Sequence, residues 1–186
     1  MTKKCVLVCI LAVSTVALQG CPPPEGWPLP PFDTTGTYEG TWQGQTNEEE
    51  PAKQQEIAAC PLSVTLEQDL TQNYPGDHGV KGTVTVHYDC IELPEWVQNQ
   101  ETPPPSEVPV SGILADDGKL TLASGGCGIG LCVLLTLAGE GFDDDGDGYM
   151  DYYEGTWSYI ILLAGVQPFG VQGTYMVDAV EITPAE

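Results

Sequence analysis

Arginine is absent from this 186-residue chain and lysine is scarce. Five lysines stand against 27 aspartates and glutamates, for a formal net charge of −22. Two of the five are Lys3 and Lys4, so only Lys53, Lys81 and Lys119 are spread through the rest. A surface of this sign repels phosphate backbones, which excludes nucleic acid as a partner and makes divalent cations natural counter-ions. Histidine is almost as rare: His78 and His87 are the whole supply. No serine sits in a Gly-x-Ser-x-Gly elbow, and no histidine lies close in sequence to a cysteine pair with metal-ligand spacing. His87 and Asp89 project the same way from an alternating segment, and a solvated strand face accounts for both. With this many carboxylates, spacing alone identifies no catalytic pair, and no catalytic residue is assigned. The expectation is a protein that is not an enzyme.

Long apolar runs are also missing. The longest, Cys5–Leu18, is shorter than the roughly 20 residues that cross a bilayer as a helix. It follows Lys3 and Lys4 and precedes "LQGC", Leu18–Cys21, an order that fits a cleaved leader. These residues resemble the lipobox of bacterial lipoproteins, with Leu18 at −3, Gln19 at −2, Gly20 at −1 and the cysteine to be acylated. The resemblance implies a signal peptide at 1–20 and a mature chain beginning at Cys21, carrying lipid such as palmitate on its sulfur and amino group. It also implies a membrane partner reached through that lipid, in a bacterial cell envelope. Pro22 replaces the aspartate that holds enteric lipoproteins at the inner membrane, which points to the outer membrane.

Beyond Cys21, residues 21–35 form a proline-rich, lipidated tether, and 36–186 suit a single domain with a core of its own. Period-two alternation dominates that domain. In "VKGTVTVHYDC", Val80, Gly82, Val84, Val86, Tyr88 and Cys90 share one face; in "CPLSVTLEQDL", Cys60, Leu62, Val64, Leu66 and Leu70 do. Eight strands are expected, at 36–46, 60–70, 79–90, 108–115, 119–125, 131–141, 151–164 and 170–181. Residues 51–59 read as two helical turns, and 93–109 as a long proline-rich loop. This is an all-β pattern, an antiparallel up-and-down β-barrel of about eight strands, or else a two-sheet β-sandwich.

Repeats favour the barrel. "YEGTW" occurs at Tyr38–Trp42 and Tyr153–Trp157, and "GVKGT" at Gly79 is echoed by "GVQGT" at Gly170. Glycines sharing a face with large apolar neighbours allow the sharp bends that closure needs. Trp42 and Trp157 are therefore expected inside. The first "GTW" is similar to the glycine–x–tryptophan signature of lipocalins, which implies a lipocalin-like architecture. A small apolar ligand or an envelope protein is the corresponding expectation for a partner. The alternative is a lipid-anchored hydrolase with its site in the barrel mouth, which would need two inward carboxylates about 5–9 Å apart.

Four cysteines remain outside the leader and Cys21, and four allow three pairings. If 60–70 and 80–90 form a hairpin whose facing residues sum to 150, Leu62 faces Tyr88, Val64 faces Val86 and Cys60 faces Cys90. Cys127 and Cys132 close the tight loop "CGIGLC". Export favours oxidation of both pairs.

The last motif is "DDDGDGYMDYYE", residues 143–154. Hard oxygen donors at alternate positions suit a hard ion of calcium's size. The stretch resembles the EF-hand calcium loop over all twelve positions. Asp143, Asp145 and Asp147 stand at 1, 3 and 5, Gly148 at 6, and Tyr149 at 7 with its carbonyl. Met150 takes the apolar position 8, Asp151 is at 9 and Glu154 at 12. The flanks read as strands, so the likeness is to a calcium loop without EF helices, as in dockerin and thrombospondin repeats. The resemblance implies a structural calcium ion. Glu154 keeps two readings, because Glu39 occupies the same place in the first "YEGTW" with no acidic loop before it.

Overall fold

The computed structural model describes residues 29–48, 53–74, 76–100, 104–127 and 131–182, with side chains at 70–74 excepted. The leader, Cys21, residues 22–28 of the tether, and the side chain of Leu70 lie outside the described residues.

Alternating inward apolar residues build eight strands: β1 (Gly36–Thr46), β2 (Glu56–Tyr74), β3 (Asp77–Val86), β4 (Glu107–Ala115), β5 (Lys119–Cys127), β6 (Leu131–Phe142), β7 (Tyr152–Leu163) and β8 (Phe169–Ile182). Each pairs antiparallel with its sequence neighbour. The sheet closes where β1 meets β8, from Gly36 opposite Ile182 to Thr46 opposite Val171. This is a closed up-and-down barrel, and the two-sheet alternative is excluded. The turns between β2 and β3, β4 and β5, and β6 and β7 lie at the end where the chain enters from the tether. The remaining connections lie at the opposite end.

Eight strands enclose a space that side chains can fill, and here they do. Tyr38, Trp42, Leu62, Val64, Leu114, Leu122, Leu137, Tyr153, Tyr159 and Val177 are among the buried residues of a single core. Trp42 and Trp157 are both buried, with ring centroids 4.1 Å apart. Their indole N–H groups have no hydrogen-bond partner among the described residues. Each such orphan costs about 1–3 kcal/mol, which the surrounding apolar burial must offset. Phe32 and Met150 close the tether end, while Ile91 and Val97 close the other. Apolar residues dominate the inner face, while the outer face mixes polar residues with exposed Ile113, Leu134, Met176 and Val180.

Three expectations are corrected. The two helical turns at 51–59 are cut short: Lys53 is in a 3-10 turn, and β2 begins at Glu56, with Ile57 and Glu56 paired with Gly44 and Gln45. Two isolated helical turns are marginal, whereas pairing with β1 fixes the same residues against a partner. Residues 51 and 52 lie outside the described set. The hairpin register is shifted by two, with Leu62 facing Val86 and Val64 facing Val84. Inward parity survives a shift of two, but Cys60 has no strand partner at Cys90, because β3 ends at Val86. A 3-10 turn, Tyr88–Cys90, carries Cys90 back, and the Cys60–Cys90 disulfide forms with Cα atoms 5.8 Å apart. His87 and Asp89 therefore share no strand face. Finally, the proline-rich segment contains one helical turn, α1 (Glu95–Gln98), whose Val97 is buried against the core. Cys127 and Cys132 face each other across β5 and β6 and are disulfide-bonded.

Candidate metal site

The β6–β7 connection carries the acidic motif, and its framework is built before its carboxylates come into play. At its base Phe142 pairs with Tyr152, their rings stacked at 4.5 Å, and the Asp151 N–H donates to the Phe142 carbonyl at 2.7 Å. Met150 is completely buried. A Cβ on Gly141 would collide with its sulfur and with the Phe32 ring, so glycine is what lets Met150 and Phe32 seat beneath the loop. Asp33 bridges to Tyr149 in parallel: its N–H donates to Gly148 O at 2.8 Å, and its carbonyl accepts from Met150 N–H at 2.9 Å. Ala179 N–H reaches Asp151 O at 2.7 Å, tying the loop to β8.

On this base the aspartates turn inward to their own backbone. Asp143 accepts from Gly146 N–H at 2.8 Å and Gly148 N–H at 3.0 Å. Asp145 accepts from Asp147 N–H at 3.0 Å, and Asp147 from Tyr149 N–H at 2.9 Å. Asp151 accepts from Asp144 N–H at 2.6 Å and from Asp145 N–H at 3.3 Å. Gly146 and Gly148 take φ of 75° and 90°, a region that other residues enter at a cost, and the turn needs both. The result gathers one carboxylate oxygen each from Asp143, Asp145 and Asp151 within 4.8 Å of one another. Two oxygens bound to one calcium at 2.3–2.6 Å lie at most about 5 Å apart, so the spacing fits that ion.

Asp147 and Glu154 are not in this group. The Asp147 carboxylate is engaged by the Tyr149 amide. Tyr149 is held in the bridge to Asp33. Glu154 sits on the outer face of β7, directly opposite Glu140 of β6 and Met176 of β8. Position 12 of the motif has become a strand position, as Glu39 is in the first repeat.

Sequence reasoning missed Phe32 and Asp33. Both fall in the stretch read as tether; Asp33 Oδ1 accepts from Thr35 N–H close by, but Gly141 and Tyr149, which the two residues meet, lie more than a hundred residues away. The candidate hydrolase site fares differently. The buried polar side chains among the described residues are Thr34, Thr46 and His78. His78 Nε2 lies 2.9 Å from Asp116 Oδ1, and that carboxylate is half exposed at the tether end.

No family model, no curated protein and no solved structure matches this chain.

Proposed function

We propose that this protein is a lipid-anchored component of a bacterial cell envelope, at the outer membrane, with a non-enzymatic binding or structural role and a calcium ion that stabilises one end of its barrel. The observation that carries the reading is the Asp143–Asp145–Asp151 cluster on a loop pinned from three sides. Calcium would neutralise carboxylates that otherwise repel, and Asp143, Asp145 and Asp151 would hold it, with the Tyr149 carbonyl as a further donor. Because the chain enters at this same end, the loop stands beside the tether from Cys21. The ion would then fasten the barrel end nearest the membrane. The described interior is mostly apolar, with Thr34, Thr46 and His78 as its buried polar side chains, and it brings no pair of inward carboxylates together.

Two experiments test this. Full chain in detergent should unfold at a higher temperature in millimolar calcium than in magnesium or chelator; indifference to calcium would contradict the metal reading. For the anchor, the envelope fraction should partition into detergent, and Cys21→Ala should release the protein or block its processing. Unchanged partitioning of that variant would contradict lipidation.

A further inference from the structure

The barrel closes on itself, but one of its seams is short. β4 and β5 pair only where Ser111–Leu114 runs beside Leu120–Ala123. On their other edges both strands are paired in full: β4 with β3, and β5 with β6 from Lys119 opposite Glu140 to Cys127 opposite Cys132. Continuing the β4–β5 register would set Val110 against Ser124, Pro109 against Gly125 and Val108 against Gly126, yet the ladder stops before them. The residues account for this. Pro109 has no N–H to give to a ladder, and Gly125 and Gly126 bring no side chains to pack across it. A Cβ on Gly126 would meet nothing within 4 Å. Ser124–Cys127 is therefore held by β6 alone, at the end of the barrel remote from the tether.

The Cys127–Cys132 disulfide stands at the tip of this half-held strand. It differs from the other bridge in its surroundings. Cys60 is completely buried and Cys90 packs against the core. Cys127 is exposed and Cys132 half-buried. The bridges also close different lengths of chain, with a sequence separation of 30 for Cys60–Cys90 and 5 for Cys127–Cys132. In the chain-entropy account of cross-links, the longer loop carries the larger stabilisation. Opening the shorter bridge thus leaves the fold standing, and its exposure gives a thiolate access to it.

We propose that Cys127–Cys132 is a redox latch on the β4–β5 seam, opened by a dithiol reductant. One thiolate of the dithiol attacks the sulfur of Cys127, the more exposed partner. A mixed disulfide forms there as the Cys127–Cys132 bond breaks, and Cys132 leaves as a thiolate. The second thiolate of the dithiol then attacks its own sulfur in the mixed disulfide, and Cys127 leaves in turn. The dithiol ends as a disulfide, oxidised by two electrons. Its two protons pass through water to Cys127 and Cys132, which end as thiols. Without the bond, Ser124–Cys127 keeps only its one-sided pairing to β6, and segments held so sparsely open locally. The seam then widens beside Val108 and Val110, which are buried in the oxidised barrel.

The test is a dithiothreitol titration of the full chain in detergent. Free thiols are first blocked with N-ethylmaleimide, and newly released ones are trapped with iodoacetamide and mapped by peptide mass. Cys127 and Cys132 should be released together, at a reductant concentration at least tenfold below that which releases Cys60 and Cys90. Amide hydrogen exchange over 124–127 should then quicken at least tenfold, while β1, β7 and β8 keep their rates. Cys127→Ser with Cys132→Ser should show the same fast exchange without reductant. Release of Cys60 and Cys90 first, or of all four cysteines together, would overturn the proposal. So would unchanged exchange at 124–127 after selective reduction, or a double variant that no longer folds, since either would make the bond something other than a latch.

Discussion

Glycine is the residue on which this barrel turns, and its two uses differ in kind. Gly146 and Gly148 supply left-handed backbone in an open loop, with no atom within 4 Å of where a Cβ would stand. Gly155 and Gly173 are extended and instead make room for neighbouring backbone. Gly173→Ala would push β8 away from Gln43 and Gly44 of β1, and overpacking of this sort costs about 1–3 kcal/mol. Gly126→Ala, at the open end of β5 with no atom within 4 Å of the added carbon, should change stability by less than about 0.5 kcal/mol. Urea unfolding distinguishes them, and equal midpoints would contradict close approach at Gly173. The sequence announced that such glycines share a face with aromatics. It did not announce which backbone each glycine would meet, because that needs the strand register.

At the scale of the element, alternation located all eight strands to within about four residues, the widest misses falling at both ends of β2 and at the end of β3. Period-two patterning reports which face is buried, so it survives any shift by two. The Cys60–Cys90 pair forms although the register that suggested it is shifted, because the 3-10 turn Tyr88–Cys90 returns Cys90 to Cys60. Turn geometry sets register, and β2 pairs with β3 through an irregularity between Asp69 and Asn73 that no simple count anticipates. The inward tyrosines of β7 and β8 offer a pH test. Burial pushes Tyr153, Tyr159 and Tyr175 well above the ordinary value of 10.0, most of all by removing their hydroxyls from water. The folded chain thus keeps phenolic protons that the unfolded chain loses. Stability is full below that value and falls as pH rises beyond it. Absorbance should show these tyrosines ionising together with the loss of folded structure. Phenolate appearing for all of them at the ordinary value, in a chain still folded, would contradict their burial.

For the molecule as a whole, the acidic motif was legible as a loop with calcium-type spacing, and its placement was not. Only the closed barrel puts it at the end where the tether enters, over Met150 and Phe32, with Asp33 as its clasp. β7 pairing places Glu154 opposite Glu140, and the group formed by the carboxylates of Asp143, Asp145 and Asp151 does not include it. The measurement that bears most directly on this account is thermal unfolding of the full chain with calcium, magnesium or chelator, repeated on Asp145→Ala and Glu154→Ala. For a site of extracellular-module affinity, saturation by ten- to a hundredfold excess over Kd stabilises by roughly 1.5–3 kcal/mol, several degrees for a domain of this size. The account predicts that rise with calcium only, lost in Asp145→Ala and kept in Glu154→Ala. No shift with calcium, an equal shift with magnesium, or a shift lost in Glu154→Ala would contradict it.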